Sequence, residues 1–539
     1  MEKKENKRIL LGNEAIVYGA LEAKVRFIST YPGTPVSEIG DTFYKLAKDF
    51  SYYFEYSENE MVALQSAIGA SFANVRSMAV MKNFGLNVCS DSLAPFCYTG
   101  AKGPTVIVVG DDPGCFSSAE SEQNSRGYSC IAHIPTLEPS DAKECYEYTK
   151  TAFNISENYK IPVMVRLTTR VAHQRMPVDV GEINKDAILG KFVKGNNSLI
   201  TMPPQVLAMH QKLLEKIIKI RGEYSEDSDL NRVENGNSQS TIGIITSGIS
   251  YSYVQEALKE MGIKIPILKL GFFYPLPVKK IAHFLKKFEK VLVVEELEPY
   301  LEKEIKEVCY GENIKTKVFG KSLLPEVGEL STEHVVFALS ELAGKMSLFT
   351  NTVNVKTVKH IPRFCSGKTG ACPYWKLYSA IKEVVPKDAI FGGDIGCYMM
   401  AALPPHNLYD YLLNMGSSIG IAHGIKKVSS QKVVAFMGDG TFFHSGISSI
   451  INCVYNKSNP LVIIMDNEIT AMTGHQPNPG SEVKIEEILK AIGVKNIRVL
   501  DEEAQYDELK KTIKEFLNKD SISVIVAKKI CWLLAARKN

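Results

Sequence analysis

Gly438-Asp439-Gly440, directly after an apolar run at 432–437, and Asn467, directly after a second apolar run at 461–466, decide how this chain is read. Both runs are of strand length and rich in Val, Ile and Met, and each stops abruptly at polar turn residues. The 26 residues between Gly440 and Asn467 leave room for a crossover helix, expected over 446–456, so the two strands run parallel. Ligands of doubly wound sheets bind at the carboxyl ends of such strands. The glycines let the backbone approach a diphosphate, Asp439 offers a hard carboxylate oxygen and Asn467 an amide oxygen. That donor set suits a magnesium ion that also takes phosphate oxygens and water, and the helix would add the positive end of its dipole.

Working outward, the same alternation of short apolar runs and helical stretches fills the chain. Runs at 26–29, 105–109 and 161–165 read as strands and the stretches 59–73 and 142–158 as helices. The pattern breaks in a polar stretch at 221–240 and restarts with a strand at 241–246, a helix at 250–261 and strands at 265–270 and 290–294. A third unit opens near Cys365 and ends with a strand at 523–527. The expected fold class is α/β, with domains at 1–175, 241–345 and 346–539 and a helical, polar linker at 176–240. No short-period repeat marks a solenoid.

Composition agrees. With 539 residues, 45% hydrophobic and 23% charged, the chain has several cores to fill, and its net charge of +3 gives no electrostatic grip on nucleic acid or anionic lipid. The expected ligand is a small molecule. The charged amino terminus runs into no signal-like apolar core, and the apolar runs are far shorter than the roughly 20 residues that span a bilayer, so the expectation is a cytoplasmic protein with no membrane partner. Eleven cysteines in such a compartment are buried hydrophobes or metal ligands, not disulfides.

The words around these residues carry a resemblance. Asp466-Asn467-Glu468-Ile469-Thr470-Ala471-Met472-Thr473-Gly474-His475-Gln476-Pro477, Gly393-Asp394-Ile395-Gly396-Cys397-Tyr398 and the run 415–424 resemble the indolepyruvate:ferredoxin oxidoreductase alpha subunit, a thiamine diphosphate-dependent 2-oxoacid oxidoreductase. Tyr31-Pro32-Gly33-Thr34-Pro35, Asn59-Glu60, Met81-Lys82, Gly85-Leu86-Asn87 and Leu137-Glu138-Pro139-Ser140-Asp141 follow in family order, as do Leu268-Lys269-Leu270-Gly271 and Val293-Val294-Glu295-Glu296-Leu297. The resemblance implies a pyrimidine-binding first domain, a transketolase-C-terminal-like second and a diphosphate-binding third. The cofactor would then lie in a cleft between the first and third.

It also implies roles. Gly438, Asp439, Gly440, Asn467 and the carbonyl of Ile469 would hold magnesium and the diphosphate. Glu60, with Glu58 as its rival, would share a proton with the aminopyrimidine so that the ring can deprotonate the thiazolium carbon. Thr34 would face a 2-oxo acid, His475 and His423 would serve as proton donors, and Arg126 and Lys82 would pair with the substrate carboxylate. Coenzyme A would accept the acyl group. Cys365, Cys372, Cys397 and Cys531 resemble the ligands of one 4Fe-4S cluster, and the remaining cysteines are assigned to packing.

Two departures qualify the resemblance. The family carries Cys-Pro-Gly-Cys-Pro where this chain has six residues between Cys365 and Cys372, and the ferredoxin-like tail that follows the equivalent of Cys531 is absent from this sequence. The expected partners are therefore the family's small beta subunit, in an oligomer of alpha-beta units, and an external ferredoxin or iron-sulfur subunit. A non-oxidative 2-oxoacid decarboxylase and a non-catalytic scaffold are the alternatives.

Overall fold

In the computed structural model the chain forms two compact units, Met1–Val358 and Lys359–Asn539. The described residues are 7–116, 120–183, 190–193, 199–234, 239–343, 372, 374–402, 404–501 and 506–538. Cys365 lies outside them.

The second unit shows most simply why these residues form this fold. Its five strands lie in the order Ile390–Gly392, Val433–Gly438, Leu461–Asp466, Ser523–Lys528, Asn496–Leu500, and every pair is parallel. Strand side chains alternate between faces, and here both faces are apolar. Val434, Phe436, Ile463, Met465 and Ile525 pack into one core. Val433, Ala435, Met437, Val462, Ile464, Val524 and Val526 pack into a second. A sheet covered on both sides by helices reads as continuous apolar runs, which is what made these strands legible.

The first unit holds two sheets. The larger runs Phe272–Tyr274, Thr136–Leu137, Val163–Thr168, Thr105–Asp111, Ser77–Lys82, Phe27–Thr30, Tyr53–Tyr56. From Phe27–Thr30 the chain moves outward to the edge strand Tyr53–Tyr56, then returns to Ser77–Lys82 on the other side. The connections leaving Phe27–Thr30 and Ser77–Lys82 therefore run in opposite directions, and the carboxyl ends of such a switch point are where doubly wound sheets bind ligands. The smaller sheet runs Lys317–Phe319, Lys290–Val294, Ile242–Ser247, Ile267–Leu270, Asn231–Glu234, with the last strand antiparallel.

Several boundaries differ from those expected from sequence. Lys7–Leu11 pairs antiparallel with Arg175–Asp179, joining the amino terminus to a strand that crosses the boundary placed at 175. The stretch 176–240 is not a plain linker: its helix Gln205–Ile220 buries Leu213, Ile217 and Ile220 in the core of the larger sheet. Phe272–Tyr274 leaves the 241–345 segment to pair with Thr136–Leu137 in that sheet. Among the described residues, no helix is long and apolar enough to cross a membrane.

Buried charges tie the two sheets of this unit together. Arg126, 2% exposed, donates from Nε and Nη2 to the two oxygens of Glu138 at 2.8 Å each, and from Nη1 to Glu295 at 2.7 Å. Glu138 also accepts from Arg166 at 2.9 Å and from the Ser247 hydroxyl at 2.6 Å, while Glu295 receives the amide N–H groups of Leu301 and Glu302. Arg126 is therefore not positioned as a substrate clamp, since its fork is occupied by two buried carboxylates of its own unit.

Burial alone would raise the Glu138 pKa, but the charges of Arg126 and Arg166 win and hold it down at about 2. These pairs thus stabilise the fold fully above the unfolded carboxyl's pKa of 4.5, and that contribution fades as pH falls toward 2. Arg126→Ala removes the cation shared by two buried carboxylates, leaving Glu138 with Arg166 and Ser247 and Glu295 with backbone donors, and is expected to cost about 3 kcal/mol in denaturant unfolding at neutral pH. Unchanged stability with a raised KM for a 2-oxo acid would return Arg126 to substrate binding.

Candidate functional site

In the second unit, Gly438 closes its strand beside the end of Leu461–Asp466, and the chain turns at once into helix. The helical run starts at Asp439–Thr441, earlier than the expected 446, and passes through a wide π turn at Phe442–Gly446 into Ile447–Tyr455. Such turns are frequent at functional sites. Gly438 is required by close approach: a Cβ there would lie 2.8 Å from Cε1 of Tyr398. The Tyr398 hydroxyl donates to the Ile395 carbonyl at 2.9 Å, and Thr441 Oγ1 donates to the same carbonyl at 3.1 Å, so the Gly393-to-Tyr398 and Gly438-to-Thr441 words form one packed corner.

Asp439 sits in that corner, 4% exposed. Its Oδ1 accepts from Gly440 N at 2.8 Å, and its Oδ2 from the Asn478 amide at 3.1 Å and Asn467 N at 3.3 Å. Burial pushes its pKa up to about 7; the Asn478 hydrogen bond opposes the rise and the neighbouring Asp466 adds to it. A carboxylate so placed is stabilised by a cation. The chemistry of the donors fits magnesium: Asp439, the Asn467 Oδ1 that accepts from Ile469 N at 3.2 Å, and the Ile469 carbonyl supply hard oxygens at the ends of neighbouring strands. The Tyr374 hydroxyl, which feels the charges of Asp439 and Asp466, is buried and has no hydrogen-bond partner among the described residues.

The first unit brings Thr34, Glu60 and Lys82 to its switch point. Thr34 lies in the loop after Phe27–Thr30, and Lys82 ends its own strand with the ammonium 4.5 Å from the Phe84 ring centroid. The two loops touch: a Cβ on Gly33 would lie 2.9 Å from Lys82 Cγ. Asn59 caps the helix Glu60–Phe72 by accepting from Val62 N at 2.8 Å, which places Glu60 in the first turn. Glu60 is 3% exposed and packs against Gly85, where any Cβ would overlap its side chain. Glu58 is half-buried and precedes the cap.

The remaining candidates separate. His475 lies in the tight hairpin formed by Ile469–Thr470 and Gln476–Pro477, with Nε2 3.7 Å from Cys531 Sγ. His423 is not at the site. Its Nδ1 meets Ser458 Oγ at 2.9 Å, just before the strand Leu461–Asp466 begins, so it lies at the amino end of a strand about 20 Å long while Asp439 lies at the carboxyl end. Cys372 and Cys397 are close enough to Tyr374 to help raise its pKa, whereas Cys531 lies against His475. Among the described residues no three His, Cys, Asp or Glu side chains come together around a metal-sized site. A magnesium held by one carboxylate, one amide and one carbonyl needs no such group.

Comparison with known proteins draws the two corners into one family. Residues 18–210 match the family described as pyruvate flavodoxin/ferredoxin oxidoreductase, thiamine diP-bdg; residues 232–357 match the indolepyruvate oxidoreductase domain; and residues 394–527 match the thiamine pyrophosphate enzyme C-terminal TPP binding domain. Indolepyruvate oxidoreductase subunit IorA of Methanothermobacter marburgensis is 41% identical over 97% of this chain and 87% of its own length. The chain belongs to the IorA family. The Pyrococcus horikoshii IorA is 39% identical over 99% of this chain and 87% of its own. A 2-oxoglutarate:ferredoxin oxidoreductase from Magnetococcus marinus, solved with 2-oxoglutarate, coenzyme A and succinyl-CoA, shares the fold with a TM-score of 0.50 and 19% identity over 63% of this chain and 66% of that one.

Three residues of the site escaped the reading of sequence. Asn478 looks like an ordinary turn signal before Pro479, yet it reaches Asp439. Asp394, fully buried, accepts from Gly416 N at 2.8 Å and Ser418 N at 2.9 Å and so holds the start of the helix Ser417–Val428 against the corner. Tyr398 sat in a recognised word without an assigned contact. The glycine contacts give a prediction: Gly85→Ala displaces the Glu60 carboxylate and is expected to lower turnover about 100-fold with thermal stability largely kept. Full activity in that variant would show that the position of Glu60 is immaterial.

Proposed function

We propose that this chain is the catalytic alpha subunit for oxidative decarboxylation of aryl 2-oxo acids, of the indolepyruvate or phenylpyruvate kind, to the acyl-CoA, with electrons passed to ferredoxin. The observation that carries the reading is the buried Asp439 carboxylate joined to Asn467 at the ends of two parallel strands, in a chain that belongs to the IorA family. Thiamine diphosphate, when bound, supplies a thiazolium carbon that adds to the substrate ketone and takes up the electron pair released with carbon dioxide. Asp439, Asn467 and the Ile469 carbonyl would hold its magnesium, with Gly438 and Gly440 against the diphosphate.

Glu60 would hold a proton at the pyrimidine nitrogen. Its burial against Gly85 excludes water from one side of the carboxyl and fixes its direction. Lys82 and Thr34, on touching loops, would bind the carboxylate and ketone oxygens of the substrate, and His475 would donate a proton near the same corner as Asp439. Coenzyme A, the small beta subunit, assembly of alpha-beta units and a cytoplasmic setting follow from the same family reading.

This assignment divides into two measurable parts. Asp439→Ala is expected to abolish magnesium-dependent thiamine diphosphate binding, followed by protein fluorescence. Glu60→Gln should retain binding but stop deuterium exchange at the thiazolium carbon, because an amide fills the volume without accepting the proton. Exchange at the wild-type rate would move the role to Glu58.

For the electrons, the proposed ligand set is Cys365, Cys372, Cys397 and Cys531 around one 4Fe-4S cluster. Its support is the order of the cysteines in the family words. Among the described residues no three metal-ligating side chains come together, and Cys365 lies outside those residues, so no electron step is routed through the thiols; the second reading is a non-oxidative decarboxylase. Anaerobically prepared protein with about four irons per chain, lowered by Cys397→Ser or Cys531→Ser, supports the cluster. Iron-free protein that still decarboxylates a 2-oxo acid supports the second reading.

A further inference from the structure

We propose that Asn478 is a positioning residue for the cation-binding carboxylate, and that it sets the preference of the site for magnesium over larger divalent ions. The inference rests on the assignment of Asp439 as a magnesium ligand and adds to it a residue from outside the motif.

Three observations meet at this side chain. Asn478 is 8% exposed, and its Nδ2 donates to Asp439 Oδ2 at 3.1 Å. Its Oδ1 accepts the Gly480 N–H at 2.8 Å, which fixes which end of the amide is nitrogen and therefore which end faces the carboxylate. Asn467 N donates to the same Oδ2 at 3.3 Å, so this oxygen is held from both ends of the segment 467–478. Gly440 N, from Asp439's own loop, takes the other oxygen at 2.8 Å.

The consequence is directional. A carboxylate has about four lone-pair sites over its two oxygens; Asn478 and Asn467 take those of Oδ2 and Gly440 takes one of Oδ1, so anchoring Oδ2 leaves a defined direction on Oδ1 for a cation. Magnesium demands a near-ideal octahedron at about 2.0–2.1 Å, whereas calcium accepts six to eight oxygens at about 2.3–2.6 Å in adaptable geometry. A carboxylate free to rotate would still serve calcium but would lose the octahedral placement. Residues that orient a metal ligand without touching the metal typically contribute about 10–100-fold in affinity.

Gly480 offers an independent handle on the same bond. A Cβ there would lie 2.8 Å from Asn478 Oδ1, so Gly480→Ala pushes the amide away while leaving Asn478 in place.

The experiment is a titration of the intact protein, at fixed thiamine diphosphate, with magnesium and separately with calcium, read by calorimetry. Asn478→Leu and Gly480→Ala are each expected to weaken magnesium at least about 10-fold and calcium about 2-fold or less. Asn478→Ser, short of Asp439, should behave like the leucine variant. A general loss of structure would lower both cations together and overturn the proposal, as would magnesium affinity unchanged in both variants. Wild-type protein that shows no magnesium-dependent binding would overturn the Asp439 assignment itself. Normal wild-type binding with unaltered variants would overturn the role of Asn478 alone.

Discussion

Asp439 Oδ2 is the point on which the second unit's site depends. A carboxylate with 4% exposure is costly unless its charge is answered, and here amide donors from Asn467 and Asn478 answer part of it. Neutral donors reduce the cost of burial without cancelling the charge, which is why burial still carries the pKa up to about 7. The carboxylate is thus held in place and remains receptive to a cation. Everything nearby serves that arrangement. Two parallel strands deliver Asp439 and Asn467 to one edge, a hairpin brings Asn478 back over it, and Tyr398 and Asp394 lock the adjoining loop and helix start.

The first unit solves a different problem with the same sheet geometry. Neighbouring strands send their connections in opposite directions, and glycines let the first residues of those connections pack against each other. Gly33 admits Lys82 and Gly85 admits Glu60. The charged network around Arg126 serves the fold instead. It occupies the junction of two sheets, where Glu138 and Glu295 each satisfy Arg126 and receive further donors. The same residue type that binds substrate carboxylates elsewhere here binds carboxylates of its own fold.

Much of this was legible in the sequence for a physical reason. Strands covered on both faces leave unbroken apolar runs, so 461–466 was read at its true limits and 432–437 within one residue of Val433–Gly438. Long-range pairing leaves no such trace. Lys7–Leu11 is short and charged, and only its partner Arg175–Asp179 makes it a strand. His423 shows the limit of reasoning by neighbouring words: it shares a run with Ser418 at the corner, but a helix rises about 1.5 Å per residue and carries it away toward Ser458. Asn478 shows the converse, since a turn residue becomes a site residue only when the hairpin closes.

On the function proposed above, Asp439 and its amide partners form a cation site completed by a diphosphate. Electron paramagnetic resonance of manganese, added to the intact chain as a stand-in for magnesium, tests it most directly. One tightly bound manganese per chain is expected when thiamine diphosphate is present, released by magnesium and lost in Asp439→Ala. Manganese that stays free with the cofactor present, or binds equally without Asp439, would contradict it.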